Sequence, residues 1–151
     1  PVIILGFSIQ AGALDTTFSI QSATLTFPSL TDPTGEAIID MLLSDTGGTT
    51  GAQAQAVSGN DGMFNATYNG TTVFAELIED VSFASGGPLN ANSAVGPGVI
   101  NDTVSSMKSR IDMTLSAGDT VSGTFTYEIV PEPATIGLFS VAGLALIRRR
   151  R

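Results

Sequence analysis

Along most of the chain, large apolar residues alternate with Ser, Thr and other small polar residues, the period of a half-buried strand. Val2 to Ile9 opens as a strand. Thr17 to Phe27 follows with a change of phase: Phe18 and Ile20 are apolar at even positions, then Ala23, Leu25 and Phe27 at odd ones. One extra residue near Gln21-Ser22 accounts for the shift, as a bulge or a break between strands. Asp32-Pro33-Thr34-Gly35 places residues preferred in a type I turn at its first, second and fourth positions. Glu36 to Leu43 then returns as a strand, with a short helix as the rival because Ile38, Met41 and Leu42 also fit helical spacing.

Thr46 to Asp61 holds few large residues and reads as a loop with one weak strand around Gln53 to Val57. Phe64, Ala66 and Tyr68 alternate, and Asn69-Gly70 is the sequence of a two-residue type I′ hairpin turn. The return strand puts Val73, Ala75, Leu77, Val81 and Phe83 on one face. Gly86 to Asn101, rich in Gly, Pro and Asn, reads as a second loop. A final hairpin follows: Met107, Ile111, Met113 and Leu115 face one way, Ala117-Gly118-Asp119 turns, and Val121, Phe125, Tyr127 and Ile129 face the core again. About eight strands at this spacing predict an all-β fold, an antiparallel two-sheet sandwich of jelly-roll type rather than a closed barrel. No internal repeat is evident.

The alternation stops at Val130. Val130-Pro131-Glu132-Pro133-Ala134-Thr135 leads into an apolar segment, Ile136 to Ile147, and then Arg148, Arg149, Arg150 and Arg151. Fourteen residues from Ala134 to Ile147 carry no charge. As a helix they span about 21 Å, against a hydrocarbon core of about 30 Å, which is short for a stable anchor. Arginine stems can snorkel to lengthen that span, and the arginine cluster would stop on the cytoplasmic side with the preceding chain across the membrane. Pro131 and Pro133 keep Val130 to Glu132 extended, the conformation a protease cleft accepts, and Pro133 suits a first helical turn.

This end, with the Gly137-Leu138 entry into the helix, resembles the PEP-CTERM sorting signal of Gram-negative bacteria. The likeness covers roughly the last 22 residues. It implies recognition by an exosortase, a membrane-embedded cysteine transpeptidase-like enzyme. It further implies an inner-membrane intermediate, cleavage near Pro131 to Pro133, and export to the cell surface or the exopolysaccharide matrix. A plain C-terminal anchor is the simpler alternative. A sortase signal lacks its Leu-Pro-x-Thr-Gly here, and a GPI signal would not end in four arginines. The chain divides into a body, 1–130, and a signal, 131–151. Pro1 to Leu5 is apolar without a basic leader or long apolar region, so the start reads as processed or truncated.

Charge and composition narrow the body's chemistry. Residues 1–130 carry 13 acidic groups against Lys108 and Arg110, giving −11; the tail contributes +3, and together they make −8. Such a surface repels nucleic acid and anionic lipid. Cysteine, histidine and tryptophan are all absent. That removes a thiol nucleophile, the usual general base, the commonest zinc ligand and the largest stacking platform. Two-carboxylate glycoside hydrolysis needs only Asp or Glu, but no pair stands out. The expectation is a non-catalytic exported domain without cofactor or metal. Its rivals are a carbohydrate-binding module with Tyr68 as the one candidate platform, a self-associating matrix protein, and more distantly a glycan hydrolase.

Three weaker signals have plain explanations. Asn65, Asn69 and Asn101 begin glycosylation sequons that a Thr-rich chain generates by chance. Asn60-Asp61-Gly62 and Asn101-Asp102 carry oxygen ligands but not the dense ladder of a calcium loop, so turn chemistry is preferred. Glu76, Glu79 and Asp80 read as a solvated acidic face.

Overall fold

The computed structural model describes residues 1–47, 51–84 and 87–132. Among them are eleven strands and no helix: β1 (Val2–Gln10), β2 (Thr16–Gln21), β3 (Leu25–Thr31), β4 (Thr34–Ser44), β5 (Ala52–Ala56), β6 (Phe64–Tyr68), β7 (Thr72–Leu77), β8 (Asp80–Phe83), β9 (Leu89–Val99), β10 (Thr103–Leu115) and β11 (Thr120–Val130). They form two sheets in which every pairing is antiparallel. The first runs β1-β11-β4-β9.

The second sheet is built on β10. One side of this strand pairs with β3 and β2, the other with β6 and β5; β7 lies outside β6 and β8 outside β5. The successive pieces β2–β3, β5–β6 and β7–β8 act as broken strands, so each sheet is four strands wide. The chain changes sheet at every connection outside those broken segments and the β6–β7 turn. This is the interleaved path of a double-sheet jelly roll.

The break after Gln21 falls where the apolar phase shifts. Ser22 leaves the alternation, donates its N–H to the Ser109 carbonyl and accepts the Ser109 N–H on Oγ. Between Glu36 and Leu43 the strand prevails over the helix, with Ala37, Ile39, Met41 and Leu43 all buried on one side. Phe64 sits where the sheets meet, its ring 5.8 Å from Phe7 and 5.7 Å from Phe125. Removing each such side chain from water contributes about 1.5–3 kcal/mol.

Four sequence expectations are corrected. First, β10 and β11 are not a hairpin: one belongs to each sheet, and Ala117-Gly118-Asp119 carries the chain between them. Alternation fixes which face is apolar but not whether two consecutive strands pair or stack. Second, the expected loop of Gly86 to Asn101 contains the eleven-residue strand β9. Among the described residues it is an edge strand paired only with β4, and its Gly96-Pro97 step falls at a register shift, where a missing N–H is tolerated.

Third, the return strand is split at Ile78, which has φ 56°, and a bulge inserts Phe74 opposite the Ala66–Thr67 step. Phe74 therefore turns inward with Ala75, whereas Val73 is 51% exposed. The turn before it spans three residues, because Tyr68 pairs with Thr72; Asn69 and Gly70 do take the expected positive φ, 48° and 92°. Fourth, the chain turns at Asp32-Pro33, and Thr34-Gly35 already belongs to β4. Gly35 is needed for space: a Cβ there would lie 2.7 Å from the Phe74 ring.

Candidate functional site

Two places on the body merit description, and the first is where the signal begins. Strand β11 lies between β1 and β4 at the centre of its sheet. Ile129 is fully buried and donates its N–H to the Pro1 carbonyl at 3.0 Å. Val130 still pairs with Thr34, but Pro131 has no N–H to extend the ladder, so the sheet ends there. Pro131 and Glu132 are exposed.

Val130, Pro131 and Glu132 thus leave the body with no linker between core strand and signal. Pro133, Ala134, Thr135, the apolar segment and Arg148 to Arg151 lie outside the described residues, as does the expected short transmembrane helix. No helix among the described residues is long and apolar enough to cross a membrane.

The surrounding pole is rich in carboxylates and held by local hydrogen bonds. Asp32 donates its N–H to the Asp102 carbonyl, Ile100 to that of Pro33, and Asp102 Oδ1 accepts the Thr103 N–H. Asn69 bridges to β10, donating from Nδ2 to the Thr103 carbonyl at 2.7 Å and accepting the Ser105 N–H at 3.0 Å. Asp32, Asp102, Glu128 and Glu132 are all exposed on this side.

The second place is a recess of about 270 Å³ on the outer face of the β10 sheet. Strand alternation sends Met107, Ser109 and Ile111 inward, so Lys108 and Arg110 point out on the same face. Lys108 stands opposite Thr67 and Arg110 opposite Asn65 on β6; Asn65 in turn faces Glu76 on β7. Asn60 closes one end and Gly70-Thr71 the other.

Arg110 is held in place. Its Nε forms an ion pair with Asp112, and Nη2 donates to Asn60 Oδ1 at 3.3 Å, while Asn60 Nδ2 donates to Asp112 Oδ2. Asp112 is 6% exposed, so this pair is shielded from solvent on the carboxylate side. The Lys108 ammonium has no hydrogen-bond or ion-pair partner among the described residues. Both basic groups of residues 1–130 therefore line one recess, one fixed and one free. Only the i, i+2 spacing of Lys108 and Arg110 hinted at this in the sequence. Their partners come from β6, β7 and the loop at Asn60.

The other candidates fall elsewhere. Tyr68 pairs with buried Met107 and packs half-buried against the core, so its ring is not an outward platform; among the described residues no aromatic side chain is one of the exposed large apolar groups. Asn65 is buried with Nδ2 bound to the Gly62 carbonyl, and Asn69 is engaged at both ends of its amide, whereas Asn101 is exposed. Among the described residues no three His, Cys, Asp or Glu side chains are grouped to hold a metal ion. Glu76, Glu79 and Asp80 are exposed, but the break at Ile78 separates them, and only Glu76 borders the recess.

Comparison with known proteins supports the reading of the tail. Residues 130–151 match the family model described as the PEP-CTERM protein-sorting motif. The motif implies recognition by an exosortase and export. No curated protein matches the sequence. Among solved structures, the infectious bursal disease virus Gx strain structure is similar at 18% identity and TM-score 0.36, covering 86% of this chain and 34% of that one. The infectious bursal disease virus VP2 subviral particle gives 15% identity and TM-score 0.26, covering 98% and 49%. The chain spans about a third to a half of those viral chains, and likeness at this level carries no functional argument.

Proposed function

We propose that this chain is a non-catalytic surface or extracellular-matrix protein whose last 22 residues are a temporary address, read and cleaved by an exosortase. The observation that carries the reading is the junction at Val130. The last core strand passes directly into the exposed Pro131-Glu132, with which the Pro-Glu-Pro sequence of the matched segment begins. A membrane-embedded processing enzyme can engage such a segment without unfolding a strand. The expected order is export, retention at the inner membrane by the short apolar helix, cleavage near Pro131 to Pro133, and release or attachment outside the cell.

The acidic pole suits this sequence of events. Asp32, Asp102, Glu128 and Glu132 give this end of the body no cationic patch to hold it on a lipid surface once the tail is cut. Mass spectrometry of the mature protein from its native host tests the reading. The expected product ends between Val130 and Thr135 and lacks Arg148 to Arg151; a mature protein with its arginine terminus intact overturns it.

In the matrix, the body would associate with exopolysaccharide. The recess that Lys108 and Arg110 line on the β10 sheet favours this over a purely structural role. An aromatic platform has no support, since Tyr68 is turned toward the core.

A further inference from the structure

We infer that the recess between β6, β7 and β10 binds one hydroxylated carboxylate unit, the chemistry of a hexuronate residue. The inference rests on the matrix reading only for its setting. A recess of about 270 Å³ is just below the roughly 300–1,000 Å³ of sites for drug-sized molecules, which suits a single sugar ring. Beside the apolar Val73, its polar groups are of three kinds. Lys108 offers an unpaired, flexible cation. Arg110 offers the Nη1 donors that its Asp112 and Asn60 contacts leave unused. Asn60, Thr67, Thr71 and Glu76 offer the mixed donors and acceptors that ring hydroxyls require.

Charge selects among anions. Asp112 is neutralised by Arg110, which leaves Lys108 as the attracting charge and Glu76 as a repelling one on the opposite wall. One carboxylate can sit on Lys108 while its hydroxyls donate to Glu76. A sulfate dianion has no hydroxyl, and a hydrogenphosphate dianion only one, to donate to that carboxylate, and each carries more charge toward it. Nucleic acid is further disfavoured by the −11 charge of residues 1–130. The ammonium–carboxylate contact also replaces the ring stacking that this surface lacks.

Titration of the full chain in neutral detergent, at 0.15 M salt, with glucuronate, glucose and inorganic phosphate tests the site by NMR; polygalacturonate retention tests the polymeric source. Glucuronate is expected to bind at about millimolar affinity, moving the Lys108, Asn60 and Arg110 signals, with glucose at least about tenfold weaker. Lys108→Met should weaken glucuronate about tenfold or more without lowering the melting temperature, since the ammonium holds no native partner. Should that variant fold poorly, Lys108→Gln takes its place.

Glu76→Gln should tighten binding severalfold by removing the opposing charge. Polygalacturonate retention without glucuronate binding still supports the site if Lys108→Met abolishes it, and overturns it if not. Equal binding of glucose, equal competition by phosphate, or indifference to Lys108→Met also overturns the assignment. The mass of the mature protein is independent of all these outcomes, so failure here leaves the sorting reading to its own test.

Discussion

Tyr127 combines two roles that pull against each other. Its ring is fully buried in β11 and stacks on Phe74, centroids 5.4 Å apart and planes 20° from parallel. Its hydroxyl has no hydrogen-bond partner among the described residues. Burial, and after it the neighbouring Tyr68, push the phenol well above its ordinary pKa. The folded state therefore keeps a proton that the unfolded chain releases above pH ~10. The resulting contribution to stability is complete below that pH and is lost as pH climbs toward the folded value.

Tyr127→Phe should flatten this alkaline decline. At pH 7 it should change unfolding free energy by no more than ~1 kcal/mol, because it removes an unpaired polar group while keeping the ring. Urea unfolding at about pH 7 and about pH 11 checks both statements, and an undiminished alkaline decline in the variant would refute the first. The inward position of Tyr127 was legible from alternation with Phe125 and Ile129. Its unpaired hydroxyl was not, since that depends on what the opposite sheet brings near it.

At the scale of strands, the bulge in β7 decides which of two adjacent residues belongs to the core. Strict alternation sends Val73 inward; the extra residue sends Phe74 there instead, onto Tyr127 and against Gly35. Phe74→Ala should cost about 2–4 kcal/mol through lost burial and stacking, whereas Val73→Ala should stay within about 0.5 kcal/mol. Parallel denaturant melts of the two variants separate the readings, and the reverse ranking would restore the simple alternation.

The same strand scale explains what the sequence made legible. Segments whose alternate residues are large, such as β4 and β10, could be placed by pattern alone. Strand β9 could not, because its inward residues are Leu89, Ala91 and Ser93 and its edge position tolerates Gly and Pro. The sorting signal was legible because it is linear: a contiguous order of prolines, apolar residues and arginines. The recess was not, because β6, β7 and β10 assemble it from residues 32 to 50 positions apart, as Lys108 and Arg110 are from Glu76, Asn60 and Asn65.

For the whole molecule, the decisive fact is that the central strand of one sheet is also the last element before the tail. Every described backbone pairing of β11 ends at Val130. Truncation after Glu132 should therefore shift the melting temperature by less than about 2 °C. Truncation after Glu128 removes Ile129 from a fully buried site, along with the Val130–Thr34 pairing, and should lower it by about 10 °C or more. Circular-dichroism melts of the two truncated chains provide the check. A large loss from the first truncation would mean that the tail supports the fold, which would leave a cleaving enzyme with a damaged product. Small loss from the first and large loss from the second would mark the end of β11 as the boundary between structure and signal. A cut on the tail side then leaves a body with its stability intact and without the arginine cluster, more acidic than its precursor. The residue that ends the ladder, Pro131, is also the first proline of the Pro-Glu-Pro sequence, so on the proposed reading one proline serves both the fold and its sorting.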